Sequence, residues 1–427
     1  MIKPGYKQTK VGVIPLDWDT LPVRHLVERL DAGISVNSVE RELMTFAHGQ
    51  SVLKTSSVFE GKFFPHESKQ IAPRDLWRVS LKPRADTILI SRMNTPDLVG
   101  ECGYVAKDYE NLYLPDRLWM TKQRRGIDAS IRWLSYLLSS KPQKTRIKER
   151  ATGTSGSMKN LSKDSLLDLR IPVPPLSEQR AIAEALSDVD ELLESLDRLI
   201  AKKRDVKQAA MQQLLTGQTR LPGFSGEWEM KKLIDLGTTF GGLTGKTKSD
   251  FGHGSAHYIS FMNVITNVAI DTTTFGRVRV SPTESQNLVR RGDLLLNGSS
   301  ETPEDVALCA VLLDEAGEVY LNSFCFGFRF REGARADGLY FAYYLRSTEG
   351  REIMKSLAQG STRYNLSKKA FLGSYLPLPC YDEQVAIAEV LSDLDAELGA
   401  LEQRREKTRV LKRGMMQELL TGRTRLV

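Results

Sequence analysis

One long segment occurs twice in this chain. Residues 171–221 read IPVPPLSEQRAIAEALSDVDELLESLDRLIAKKRDVKQAAMQQLLTGQTRL, and residues 376–426 read LPLPCYDEQVAIAEVLSDLDAELGALEQRREKTRVLKRGMMQELLTGRTRL. The two align without a gap and are identical at about half their positions. A period of about 205 residues is too long for a solenoid, whose units span roughly 20–50 residues. It implies two globular modules, each followed by the same segment: 1–170, 171–221, 222–375 and 376–427. The function must therefore use two comparable modules.

The repeated segment reads as a long helix over 178–215. Pro174 and Pro175 precede it, and Ser177, or Asp382 in the second copy, stands where an N-cap is expected. Apolar residues at Ile182, Leu186, Val189, Leu193, Leu196 and Ile200 alternate steps of four and three, as do Ile387, Leu391, Leu394, Leu398 and Leu401. This is the seam of a coiled coil. Thr-Gly at 216–217 and 421–422 supplies the glycine that ends a helix. At ~1.5 Å per residue such a helix is on the order of 57 Å long.

Charge order predicts how the two copies pair. The first half of each is acidic (Glu184, Asp188, Asp190, Glu191, Glu194; Glu389, Asp393, Asp395, Glu397). The second half is basic (Lys202, Lys203, Arg204, Lys207; Arg404, Arg405, Lys407, Arg409, Lys412, Arg413). A parallel pair would set like charges side by side, whereas an antiparallel pair matches acid to base. The expected fold is thus α/β, with two globular modules joined by two long antiparallel coiled-coil helices in a pseudo-two-fold tandem repeat. The alternative is that each helix packs on its own module.

Inside the modules, weaker parallels recur. Residues 12–18 (GVIPLDW) resemble 223–228 (GFSGEW), and the apolar strand ending in Ser91-Arg92-Met93-Asn94 echoes the one ending in Asn297-Gly298-Ser299-Ser300. Gly/Ser-rich loops then lead to Lys159-Asn160 and Tyr364-Asn365. No sequence motif for catalysis stands out. Gly241–Thr247 lacks the spacing of a phosphate loop, no GxGxxG or nucleophile elbow occurs, and His253 and His257 lie among glycines rather than on a helix. The four cysteines show no paired spacing and read as reduced thiols. Neither a long apolar run nor a leader is apparent, so a cytoplasmic protein is expected. The net charge is +7, and residues 1–170 alone carry roughly +9, which suggests a polyanionic partner.

The segment with Pro172, Pro174, Glu178, Gln179, Ala181, Ile182 and Leu215–Gly217, and again Pro377, Pro379, Glu383, Gln384, Ala386, Ile387 and Leu420–Gly422, resembles the conserved regions of type I restriction–modification specificity subunits. Residues 5–15 (GYKQTKVGVIP) are similar to that family's N-terminus. The resemblance implies two target-recognition domains, each reading half of a split target in double-stranded DNA. It implies helices that set the half-site separation and dock two modification subunits. Those partners would bind S-adenosylmethionine and methylate adenine, and restriction subunits would use ATP and Mg to translocate and cut. No cofactor is expected on this chain, which would itself be non-catalytic, and no membrane.

Contacts to DNA are expected from polar loop residues beside the apolar strands, since Lys and Arg engage phosphates and polar side chains read base edges. In the first module these are Lys54, Arg74, Arg92, Asn94, Arg124 and Arg125; in the second, Lys246, Lys248, Asn297, Ser299 and Arg363. Two alternatives remain open on sequence alone: a coiled-coil protein-interaction scaffold without DNA binding, and a nucleotide-dependent enzyme using the loop near Lys246.

Overall fold

The computed structural model describes residues 4–39, 49–153 and 157–426. The chain divides into two compact units, one of residues 1–196 with 404–427 and one of residues 197–403. Each unit thus holds one module together with part of each long helix.

In the first unit a four-stranded antiparallel sheet has the order Cys102–Val105, Thr87–Ser91, Leu118–Gln123, Val27–Ala32. Ile88, Leu89 and Ile90 are buried on both faces of the central strand, which explains the unbroken apolar run there. The helix Ile131–Ser139 covers this sheet. Ser130 caps it by accepting from the Trp133 N–H, and nearly every residue from Ile131 to Ser139 is buried. A second sheet carries Leu112–Tyr113 parallel to Ser51–Leu53, then Ser68–Ile71 and Ser38–Val39.

The second unit repeats this plan. Cys309–Val311, Leu294–Asn297, Cys325–Phe330 and Gly237–Gly241 form a sheet in the corresponding order, covered by the helix Gly338–Arg346 with Asp337 as its cap. Val319–Leu321 again runs parallel to Phe251–Ile259, which pairs with Gly276–Val278. The duplication therefore extends through the modules, although little of it survives in sequence outside the helices.

The long helices span Leu176–Leu215 and Tyr381–Leu419. They begin one turn-fraction earlier than the sequence suggests: Ser177 and Asp382 lie inside the first turn, and Pro175 and Cys380 carbonyls accept the first helical bonds. Gly217 and Gly422 end them at φ +70° and +69°, the left-handed region that glycine enters without strain.

Within each unit the helices run antiparallel. In the first, Asp190 pairs with Lys412 and Glu178 with Arg425, so partner numbers fall as helix numbers rise. In the second, Lys203 pairs with Glu397, Lys207 with Asp395 and Arg220 with Glu383. Ile182, Leu186, Leu193, Leu196, Ile387, Leu391 and Leu398 are buried, while Val189, Leu394 and Leu401 are half-buried. Beside the half-buried positions sit two matching polar locks. Tyr136 donates to Asp190 (2.8 Å), which also accepts from Lys412 (2.8 Å). Tyr343 donates to Asp395 (2.7 Å), which also accepts from Lys207. Burial, reinforced by the adjacent Asp190 charge, pushes the Tyr136 phenol up to about 12.

Candidate nucleic-acid interface

Each module presents polar residues at one end of its four-stranded sheet. In the first, strand Thr87–Ser91 ends where strand Leu118–Gln123 begins, because Ser91 pairs with Leu118. Arg92 follows the one and Arg117 precedes the other, joined by Arg92 N–H donating to the Arg117 carbonyl (3.0 Å). The Arg92 carbonyl accepts from Leu161 N–H, which seats the short ladder of Met93–Asn94 on Lys159–Asn160. Asn94 is fixed locally, its amide 3.3 Å from the Ser91 hydroxyl and its carbonyl accepting from Thr95 N–H.

The second sheet opens toward the same loops. Strands Ser51–Leu53 and Leu112–Tyr113 are parallel, so Lys54 and the segment Pro115–Arg117 leave them in the same direction. Together with Ser35, Ser38 and Lys69 they line a cavity of about 430 Å³. Its walls carry three cations, Lys54, Lys69 and Arg117, against the single carboxylate of Asp116, which Ser35 engages at 2.7 Å. A concave, cation-lined surface rimmed with hydroxyls suits a phosphate backbone and the base edges beside it.

Not all of the expected residues share this place. Arg124 and Arg125 are exposed but follow the far end of strand Leu118–Gln123, a strand length away on the order of 20 Å. Arg124 there donates to the Arg24 carbonyl. Arg74 is exposed on the 3₁₀ turn Pro73–Arg78, outside the cavity but directly after the strand Ser68–Ile71 that carries Lys69 into it. The Gly/Ser loop of this module falls partly at 154–156, outside the described residues.

In the second module the corresponding ladder is Ser299–Ser300 on Tyr364–Leu366, seated by Gly298 N–H on the Phe324 carbonyl and Leu366 N–H on the Gly298 carbonyl. Arg363 is exposed, stacks 5.5 Å from the Phe324 ring and donates to the Ser299 hydroxyl (3.3 Å). Phe324 is itself largely exposed. Lys248 is exposed on the turn Lys248–Asp250.

Three of the expected residues in this module have other work. Asn297 is buried, and its amide donates to the carbonyls of Ser299 and Asp305, which closes the loop rather than facing a groove. Ser299 is buried beside it. The Lys246 ammonium is almost fully enclosed, paired with Glu284 and donating to the Arg279 carbonyl at 2.7 Å. The Lys246 bond holds the Glu284 carboxyl down at about 2. Lys246 is thus a strut of the fold, not an open phosphate ligand, and the loop around it is bound to its own backbone.

Sequence reading missed Lys69, Arg117, Phe324 and Trp77. Arg117 immediately precedes a strand, but its place opposite Arg92 follows from strand pairing, which the sequence does not show; Lys69 sits inside a strand, where nothing in the sequence marks its face. Sequence reading also missed why the repeat contains Glu-Gln. Glu178 is fully buried and takes two bonds from Arg425 (2.6 and 2.9 Å) and one from Trp18 Nε1 (2.8 Å). Glu383 likewise takes two bonds from Arg220 (2.6 Å each), whose guanidinium lies 5.8 Å from the Trp228 ring. Gln179 accepts from Ser130 N–H and Gln384 from Asp337 N–H, tying each module's covering helix to the start of a long helix. The repeated motif is structural.

Among the described residues, no group of three or more His, Cys, Asp or Glu is placed to hold a metal ion, and no helix is long and apolar enough to cross a membrane. The family model for the type I restriction modification DNA specificity domain matches residues 81–202 and again 225–411. A protein of Methanocaldococcus jannaschii assigned as the MjaX type I restriction enzyme specificity subunit is 23% identical over 99% of this chain and 97% of its own length. The MjaVIII specificity subunit of the same organism is 24% identical over 69% of this chain and 70% of its own. Among solved structures, the type I restriction–modification S subunit of M. genitalium superposes with a TM-score of 0.58 at 18% identity, covering 94% of this chain and 96% of that one. A chain from a structure describing assembly and conformational transition of the type I system gives 0.54 at 16% identity, covering 96% and 99%. With its doubled modules, its paired long helices and both halves matched by the same family model, the chain belongs to the specificity subunits of type I restriction–modification systems.

Proposed function

We propose that this subunit reads a bipartite target in double-stranded DNA, one half with each module, and that its paired helices dock two modification subunits. The observation that carries this reading is the repeated sheet end, where two modules of one fold each present a short ladder beside cations: the exposed Arg117 with the half-buried Arg92 and Lys54 in one, the exposed Arg363 in the other. Cations there supply affinity through phosphates, and neighbouring amides and hydroxyls supply discrimination at base edges. The chemistry belongs to the partners: S-adenosylmethionine on the modification subunits for adenine methylation, ATP and Mg on restriction subunits. The cytoplasm, where DNA and those partners meet, is the working compartment. The number of helical residues between the modules sets the spacer.

The test is a map of methylated adenines in cells carrying cognate modification subunits, with and without this chain. The expected result is one split sequence methylated only when the chain is present. An unchanged methylome with active modification subunits would favour a scaffold that binds protein partners alone.

A further inference from the structure

We propose that Trp77 is a wedge that the first module inserts between base pairs of its DNA half-site; the proposal rests on the DNA-reading role above. Trp77 is 83% exposed, and the next most exposed large apolar side chain among the described residues, Met230, is 60% exposed. Leaving an indole in water forgoes one of the largest burial gains available to any side chain. Trp18, Trp119 and Trp133 by contrast are fully buried.

The indole is held out on a rigid turn. Pro73 starts the 3₁₀ segment Pro73–Arg78, and Asp75 within it is buried. Asp75 accepts from the Asn37 N–H and side-chain amide at 2.8 Å each and from Arg78 at 3.3 Å. Asn37 in turn accepts from Ala72 N–H. The Asn37 bonds lower the Asp75 carboxyl below its ordinary range, keeping the anchor charged. A turn ordered before binding loses little freedom when it binds.

Its neighbours select the partner. The exposed Arg74 shares the turn with Trp77, and the segment whose Asn37 bonds Asp75 also supplies Ser35 and Ser38 to the cavity of Lys54, Lys69 and Arg117. This cationic setting fits a polyanion. On a duplex, cations bind phosphates, and an aromatic finds its favourable site by entering a base step and unstacking it. The corresponding turn of the second module carries no aromatic, and the exposed Phe324 of that module is stacked on the Arg363 guanidinium (5.5 Å). After the strand Gly276–Val278 that turn is polar, with Ser281 N–H on Glu284 and Glu284 on Lys246. Distortion should therefore be confined to one half-site.

The experiment uses the full modification complex and a duplex of the mapped target, with 2-aminopurine placed at successive steps of each half-site and the methylated adenines left intact. Binding is expected to raise 2-aminopurine fluorescence at one step of the half-site read by the first module and nowhere in the other. W77A should abolish that rise and weaken binding by about 10- to 100-fold, the range of one lost stacking contact, without changing the salt slope. W77F should retain most of both. An exposed side chain is removed without unfolding the module, so circular dichroism should stay unchanged. Wild-type complex that binds tightly with no fluorescence change at any step overturns the wedge while leaving DNA reading intact. Loss of modification subunits from W77A complex in the absence of DNA overturns it in favour of a protein contact. Wild-type complex that binds no mapped duplex overturns the DNA-reading role and the wedge together.

Discussion

Glu178 and Glu383 each lie fully buried under an arginine, but they are not equally protected. Removing one partner of a buried pair strands the other charge and costs roughly 3–5 kcal/mol. R425A leaves Glu178 its bond from Trp18, whereas R220A leaves Glu383 without its two guanidinium bonds, and Trp228 Nε1 has no partner among the described residues. Calorimetry should therefore show the larger loss for R220A, in the transition of the second unit; equal losses would refute the assignment. The Lys246–Glu284 pair makes a pH prediction. Because the folded Glu284 carboxyl sits near 2, below the usual value of 4.5, its stabilisation is complete above that usual value and fades as pH falls toward 2. K246M should consequently lower the urea midpoint at pH 6 and converge with wild type near pH 2, while leaving the salt dependence of DNA binding unchanged. Such residues mark where sequence reading ends. Lys246 was visible as a cation in a glycine loop, but its partner lies 38 positions away at Glu284, and no local pattern announces that pairing.

At the scale of the element, the helices were legible because a three-four apolar spacing and charge order are properties of a short window. Their starts were misplaced by two residues or fewer, since Ser177 resembles a cap although the helix begins at Leu176. The central strands were legible too, from the apolar runs at 88–90 and 294–296. Which end of a sheet each loop occupies was not legible, because it depends on strand pairing, and this separates the expected DNA contacts into two groups. Lys69 and Arg117 at the cavity should each contribute a phosphate contact, so K69A and R117A should weaken duplex binding and reduce the salt slope by about 0.9 each. Arg124 and Arg125 lie at the far sheet end, and the double alanine variant should leave affinity within about two-fold. The reverse pattern in a salt titration would move the interface to the other end of the module.

For the whole molecule, duplication permits a test of division of labour. Replacing Arg363 with alanine, on the exposed ladder of the second module, should relax or abolish recognition of one half-site and leave the other unaltered in a methylome map. Inserting one helical turn in 190–205, with a matching turn in the distal helix, should lengthen the spacer while preserving both half-site sequences. Altered half-site bases would contradict the role given to the helices.

The clasp between Arg425 and Glu178 also fixes an order of events on the ribosome. The second unit is one unbroken stretch, 197–403, and has all its parts as soon as it emerges. The first unit, although synthesised earlier, counts Leu419 and Leu420 in its core and ties Arg425 to Asp17 across 408 residues. Its nascent form must wait with an open apolar seam until residues 415–425 appear, so the module translated first is the last to mature. A chain stopped after residue 403 but before residues 415–425 would carry a finished second module and an unfinished first one, a state that proteolysis can tell apart from the complete subunit.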